Sequence, residues 1–225
     1  MTHNTELAQS AEMIAEKWQA SRLDMERYAL ESNERAIAAI DAGKFDAEIA
    51  AVGAFARDET PRRGTTLEKM ATLEPLMPGG RVTAAVASQI ADCSAALLIA
   101  SERAVREHRL EPRARIAHLS VRAADPVWML TAPIPATTHA LQRSGLALAD
   151  IDLFEINEAF AVVSYKFQRD LELDPDKVNV NGGAIALGHP IAATGSILIG
   201  TVLDELERRG LSTGLVTMCA AGGMA

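Results

Sequence analysis

Apolar side chains recur at helical spacing through the first 45 residues, and the rest of the chain breaks into short apolar runs between glycine, proline and polar clusters. Thr5 stands ahead of one expected helix, and Ser21-Arg22-Leu23-Asp24 has the form of a capping box opening a second, which ends at Gly43. Tyr28, Ala29, Ala36 and Ile40 make its buried stripe, with Glu31, Glu34 and Arg35 on a solvated face. Glu48 to Phe55 is apolar enough for a strand, and Arg57 to Gly80 reads as a loop. From Ser101 the pattern alternates: a helix over Glu102–His108, a strand over Ile116–Val121, and a helix after Pro135 that ends at Gly145. A strand over Leu153–Ile156 and a helix over Glu158–Leu171 continue it. Strands alternating with helices at this spacing predict an α/β fold whose largely parallel sheet is covered on its faces.

One stretch departs from the pattern. Val178 to Val180 is of β type and enters Asn181-Gly182-Gly183-Ala184-Ile185-Ala186-Leu187-Gly188-His189-Pro190. Glycines at 182, 183 and 188 permit positive φ and close backbone approach. Pro190 suits the first turn of a helix whose apolar positions are Ile191, Leu198, Val202 and Leu206. His189 is thereby fixed at a chain reversal. The spacing is neither the dinucleotide nor the P-loop glycine pattern. Taken alone, the spacing favours a strand-turn-helix with a capping histidine over a catalytic loop.

Composition narrows the classes. The 225 residues carry 48% hydrophobic side chains, a net charge of −8 and a pI near 5.2, so the surface as a whole repels nucleic acid and anionic membrane. Any phosphate-bearing ligand needs a local basic patch, and Arg62-Arg63 supplies one within the 57–80 loop. The two cysteines, Cys93 and Cys219, lack C-x-x-C spacing, which argues against a zinc site or disulfide scaffold and suits a reducing cytosol. No signal peptide opens the chain, and no apolar run is long enough to span a bilayer. Cys93 adjoins an apolar run with no histidine nearby in sequence and is expected to be a buried, inert thiol. His108, His118 and His139 are isolated and receive no role.

Asn157-Glu158-Ala159-Phe160 follows the apolar run Ile151 to Ile156, and Cys219-Ala220-Ala221-Gly222-Gly223 ends another. With N-E-A-F, G-H-P and C-x-x-G-G in this order, the chain resembles the thiolases, enzymes that make or cleave β-ketoacyl-CoA thioesters. The resemblance runs over essentially all 225 residues but matches only the later part of a family member. It implies a mainly helical loop domain covering coenzyme A over residues 1–80, and a C-terminal α/β half over 81–225 without the last strand.

The resemblance also implies roles. Asn157 would hold a water at one oxyanion site, and His189 would act as base and then as hydrogen-bond donor to the thioester oxygen. Cys219 would shuttle the α-proton, and the Ala221 backbone N–H would serve the other oxyanion. Arg62 falls where thiolases carry a CoA-contacting arginine, and Ser88 on the serine that touches pantetheine. Trp128 falls in a D-P segment and would either line the acyl end of the pocket or simply pack. Around Ser88 the chain departs from the family's V-T-A-G-N-A-S-G and D-G: Ala85, Gln89 and Cys93 each replace a glycine, and Val86 an asparagine. No metal or permanently bound cofactor is implied, and the coenzyme A thioester is the substrate.

The acylated cysteine of a thiolase lies in the half not matched here, so the chain alone is expected to be inactive, with that half as its partner. The full parent would be a cytoplasmic homo-oligomer that binds neither nucleic acid nor membrane. Two other readings remain: a non-catalytic acyl-CoA or lipid carrier, and an assembly module completing a separately encoded half. A face expected to pack on the missing half would be an exposed apolar patch.

Overall fold

The computed structural model describes residues 3–225. Two long helices come first, α1 (His3–Lys17) and α2 (Arg22–Asp41). The capping box at Ser21 is present: its hydroxyl oxygen accepts from the Asp24 N–H, and the Asp24 carboxylate accepts from the Ser21 N–H. These bonds fill donors that no helical carbonyl reaches. α2 turns Met25, Ala29, Ser32, Ala36 and Ala39 inward at helical spacing. Then follow α3 (Leu67–Ala71), α4 (Glu102–His108), α5 (Pro133–Ser144), β1 (Leu153–Ile156), α6 (Ala161–Asp170), α7 (Ala184–Leu187), α8 (Thr194–Arg209) and β2 (Gly214–Thr217). Among the described residues no helix is long and apolar enough to cross a membrane.

The two strands run parallel, Leu153 facing Gly214 and Ile156 facing Thr217. A bridge between Phe154 and Val178 adds a parallel neighbour. Every residue of β1 is buried, as a parallel strand covered on both faces requires. Leu153 packs with Val202 and Leu206 of α8, while Phe154 and Ile156 pack with Phe167 of α6 and Val178. Truncating a buried phenylalanine such as Phe154 to alanine costs about 3–5 kcal/mol. The α/β class expected from the alternation is therefore what the structure has. Its largest core cluster joins Ile14, Met25 and Ala29 to Val82, Val86, Phe160, Ile185 and Cys219, so residues on both sides of position 80 share one interior.

Several expectations are corrected. Thr5 lies inside α1 rather than ahead of it. Glu48 to Phe55 is not a strand: Val52 and Phe55 exchange backbone hydrogen bonds across a reversal at Gly53, whose φ is +61°. Ile116–Val121 forms no strand either. Among the described residues no strand pairs with it, and backbone pairing begins only at Arg122, which exchanges bonds with Ala225. Pro190 is not in the first turn of a helix, because α8 opens four residues later with Ala193 as its N-cap. Ile191 is accordingly 75% exposed, while Leu198, Val202 and Leu206 keep the buried stripe. Cys93 is exposed, not buried, since the apolar run that follows it is itself open to solvent.

Candidate active site

The site begins where β1 ends. Ile156 is gripped by a side chain: its N–H donates to Asn179 Oδ1 at 2.7 Å and its carbonyl accepts from Asn179 Nδ2 at 2.9 Å. Asn179 adopts φ +45°, a conformation asparagine tolerates better than most residues. The next residue, Asn157, is fully buried, and its N–H donates to Thr217 O at 3.0 Å, the last residue of β2. Cys219 lies two residues beyond Thr217. Asn157 and Cys219 thus leave the carboxyl ends of neighbouring parallel strands, where open α/β sheets bind ligands.

Glu158 fastens the histidine loop to this edge. Its buried carboxylate accepts from Tyr28 Oη, Ser32 Oγ, Asn179 Nδ2 and the Ile185 N–H, all between 2.7 and 3.1 Å. Burial pushes the carboxyl up from its ordinary value, and these donors pull it back. Gly183 passes so close that a Cβ there would sit 2.3 Å from Glu158 Cδ, and at Gly182 it would sit 2.5 Å from Ser32 O. Only glycine fits at either place. The chain then winds through α7, and the His189 N–H donates to Gln89 O at 2.8 Å.

His189 and Asn157 meet: Nε2 lies 3.4 Å from Asn157 Nδ2, and Nδ1 lies 2.7 Å from Thr194 Oγ1. An amide nitrogen can only donate, so in this arrangement Nε2 accepts and Nδ1 carries the proton. Burial holds the ring below its ordinary value of 6.5, which keeps Nε2 a free base at neutral pH. Asn157 Oδ1 is buried and accepts no hydrogen bond from the described residues, so it can take one from a water or a ligand. Cys219 is 8% exposed, and burial pushes its thiol up to about 12, so it is protonated.

The other expected residues sit around this pair. Ala221 is exposed and absent from the positive-φ positions, while Gly222 and Gly223 take φ +78° and +83°. Alanine is therefore unstrained there, and its N–H gives no bond to another backbone group of the described residues. Ser88, half-buried, donates its N–H to Ala159 O at 3.1 Å, which sets it antiparallel to the N-E-A-F segment. Arg62 is exposed and reaches the site only through Gln89, whose Oε1 accepts from its Nε and Nη2. Arg63 turns away to pair with Asp41. Trp128 packs edge-on against Trp18, ring centroids 5.3 Å apart, with Lys17 Nζ 4.1 Å from its own ring centre. Two cavities lie elsewhere: about 10 Å³ beside Tyr28, Ser32 and Glu158, room for one water at most, and an open groove of about 370 Å³ over Tyr165 and Arg169. Neither is lined by Asn157, His189 or Cys219.

The roles of Thr194 and Asn179 escape the sequence reading, and Gln89 figures there only as a departure from the family's pattern. Thr194 lies five positions beyond His189, a spacing that carries no signal until the Pro190–Ala193 turn brings it back. Glu158 did leave a trace, as the carboxylate of the N-E-A-F motif that follows a strand-forming run.

Comparison with known proteins fits this geometry. Residues 110–225 match the family model described as thiolase, C-terminal domain, and residues 1–103 the one described as thiolase, N-terminal domain. The chain thus carries parts of both domains, where the motifs had suggested the later part alone. It is 60% identical over 219 residues to steroid 3-ketoacyl-CoA thiolase FadA6 of Mycobacterium tuberculosis, covering 96% of this chain and 54% of that protein. It is 45% identical to bovine mitochondrial 3-ketoacyl-CoA thiolase, over 96% of this chain and 57% of the relative. The crystal structure of Bacillus anthracis acetyl-CoA acetyltransferase superposes with a TM-score of 0.91 at 39% identity, over 96% of this chain and 57% of that one. Human mitochondrial 3-ketoacyl-CoA thiolase in complex with CoA superposes with a TM-score of 0.88 at 41% identity, over 96% and 56%. The chain spans about half the length of these relatives.

Proposed function

We propose, since this chain belongs to the thiolase family, that Asn157, His189 and Cys219 serve acyl transfer between coenzyme A thioesters, the thiolytic cleavage or Claisen condensation of a 3-ketoacyl-CoA. The observation that carries this reading is the contact between the Asn157 carboxamide and His189 Nε2 at the strand edge from which Cys219 also departs. His189 Nε2 takes the proton of the attacking thiol and, once protonated, donates to the thioester oxygen. Asn157 Oδ1 orders a water toward the same oxygen, and the Ala221 N–H serves the second oxyanion, a donor of a kind worth about 3 kcal/mol of barrier. Cys219, protonated, gives its proton to the α-carbon released on cleavage. Residues 1–80 form the cover over coenzyme A, with Arg62 at its phosphates and Ser88 at the pantetheine arm.

Neither cysteine of the chain suits the acylated nucleophile. Cys219 is in the proton-moving position, and Cys93 is exposed with only the Ser94 carbonyl in reach. The nucleophile therefore comes from residues outside these 225, in a cytoplasmic homo-oligomer.

Calorimetric titration of the chain with coenzyme A tests the reading. Binding that weakens in Arg62→Ala and Ser88→Ala is expected, and no binding to the unaltered chain would overturn it. Acetoacetyl-CoA, followed by its enolate absorbance, should not be cleaved by the chain alone; cleavage that vanishes in Cys219→Ala would place the nucleophile within these residues.

A second reading has its own support. Leu98, Ile99, Leu119 and Val121 are each between 72% and 85% exposed, large apolar side chains of the kind an assembly surface covers. On that reading the chain completes a separately encoded half, and co-expression with it would bury these side chains and restore cleavage.

A further inference from the structure

Gln89 stands where the family's pattern has a glycine, yet its side chain is among the best connected in the chain. The two hydrogens of its Nε2 are shared among Thr60 O at 3.0 Å, Ile185 O at 3.0 Å and Ala186 O at 3.2 Å. Its Oε1 accepts from Arg62 Nε at 3.3 Å and Nη2 at 3.2 Å. Its backbone carbonyl accepts the His189 N–H at 2.8 Å, and its N–H donates to Ala184 O at 3.4 Å. A single residue therefore touches the arginine loop at two points and the histidine loop at four. Arg62 has no other side-chain partner among the described residues, so Nη1 and the second Nη2 hydrogen stay free for an anion.

We propose that Gln89 is a positioning residue that holds the Arg62 guanidinium and the His189 loop in one arrangement, so that phosphate recognition at the first and imidazole orientation at the second depend on each other. This rests on the coenzyme A reading above for the identity of the anion, and on geometry alone for the coupling. A carboxamide suits both ends, because it donates to the carbonyls through Nε2 while accepting from the guanidinium through Oε1.

Two substitutions separate the halves. Gln89→Leu removes both, whereas Gln89→Glu keeps an acceptor for Arg62 but sets a carboxylate against three carbonyl oxygens. NMR of the ligand-free chain reads each end: solvent exchange of the Arg62 Nε–H, and the titration midpoint of the His189 ring, whose bonded partners Asn157 and Thr194 do not titrate. In Gln89→Leu the exchange rises about tenfold, the size of one lost hydrogen bond to a charged group, and the midpoint moves up toward 6.5. In Gln89→Glu the midpoint moves while the Nε–H stays protected. Unchanged probes, or both moving together in Gln89→Glu, would overturn the proposal. Where the unaltered chain binds coenzyme A, Gln89→Leu weakens it about tenfold, leaves phosphate-free pantetheine unaffected and adds nothing to Arg62→Ala; additive losses would overturn the proposal too. If the unaltered chain binds no coenzyme A, the functional reading falls, and the two NMR probes still decide the role of Gln89.

Discussion

His189 Nε2 lies 3.4 Å from Nδ2 of Asn157, a residue 32 positions earlier, and on the other side of the ring Nδ1 lies 2.7 Å from Thr194 Oγ1. Both partners are uncharged, and burial alone lowers the ring's affinity for a proton. Asn157→Asp would put a carboxylate against Nε2. An opposite charge at this range raises a histidine midpoint by about one to three units, so the NMR titration of the His189 ring should move from below 6.5 to above it. A midpoint that stays put would mean that the two side chains do not meet in solution.

The two thiols should differ sharply. Cys93 is exposed, whereas Cys219 is buried with its thiol pushed up to about 12. Thiolate is the reactive form, so at pH 8 about one Cys219 in 10⁴ is competent even before access is counted. Iodoacetamide labelling read by mass spectrometry should modify Cys93 first and Cys219 only in denaturant. Equal rates would remove Cys219 from the interior.

Gly182→Ala and Gly183→Ala should both destabilise, the first more. A Cβ at Gly182 meets the Ser32 carbonyl and the Ala36 N of a helix, and φ there is +77°. At Gly183 it meets the Glu158 carboxyl, which can retreat only by giving up hydrogen bonds. Overpacking of this kind costs about 1–3 kcal/mol, to which Gly182 adds backbone strain. Urea unfolding gives the order directly, and a neutral Gly182→Ala would show that the loop lies farther from α2.

These glycines also show how far the sequence reaches. The loop and its histidine are legible because glycine pairs are local signals, although Val178 to Val180 makes two isolated bridges around a positive-φ Asn179 and not a strand. The capping box at Ser21 is legible for the same reason. What packs against Gly183 is not, because Glu158 lies 25 positions away and only the finished fold sets its carboxylate there. The strand expected at Ile116–Val121 fails on the same ground: β-branched residues favour extended backbone, but a strand needs a neighbour, and propensity cannot supply one. Gln89 is legible as a departure from the family pattern and illegible as a connector.

Glu48 offers a pH test of stability. Its Oε2 accepts from Thr201 Oγ1 at 2.8 Å, its Oε1 is buried without a partner among the described residues, and burial raises its carboxyl from 4.5 to about 7. A raised value means that the folded state holds this proton more tightly than the unfolded chain. The resulting stability is fully present below pH 4.5 and is lost as pH climbs through 7. Glu48→Gln keeps the shape without the charge. Its urea midpoint should therefore exceed that of the unaltered chain by more at pH 8 than at pH 4.5. The same difference at both would mean that the carboxyl is solvated.

The bond from the Asn157 N–H to the Thr217 carbonyl fixes the register of β2 on β1. Side chains alternate sides along a strand, so a slip of one residue would swing those of β2 to the opposite face and undo this bond. Cys219 would be carried out of line with it. Inserting a single residue between Thr217 and Cys219 would thus keep the strand pairing while carrying the thiol out of line with Asn157.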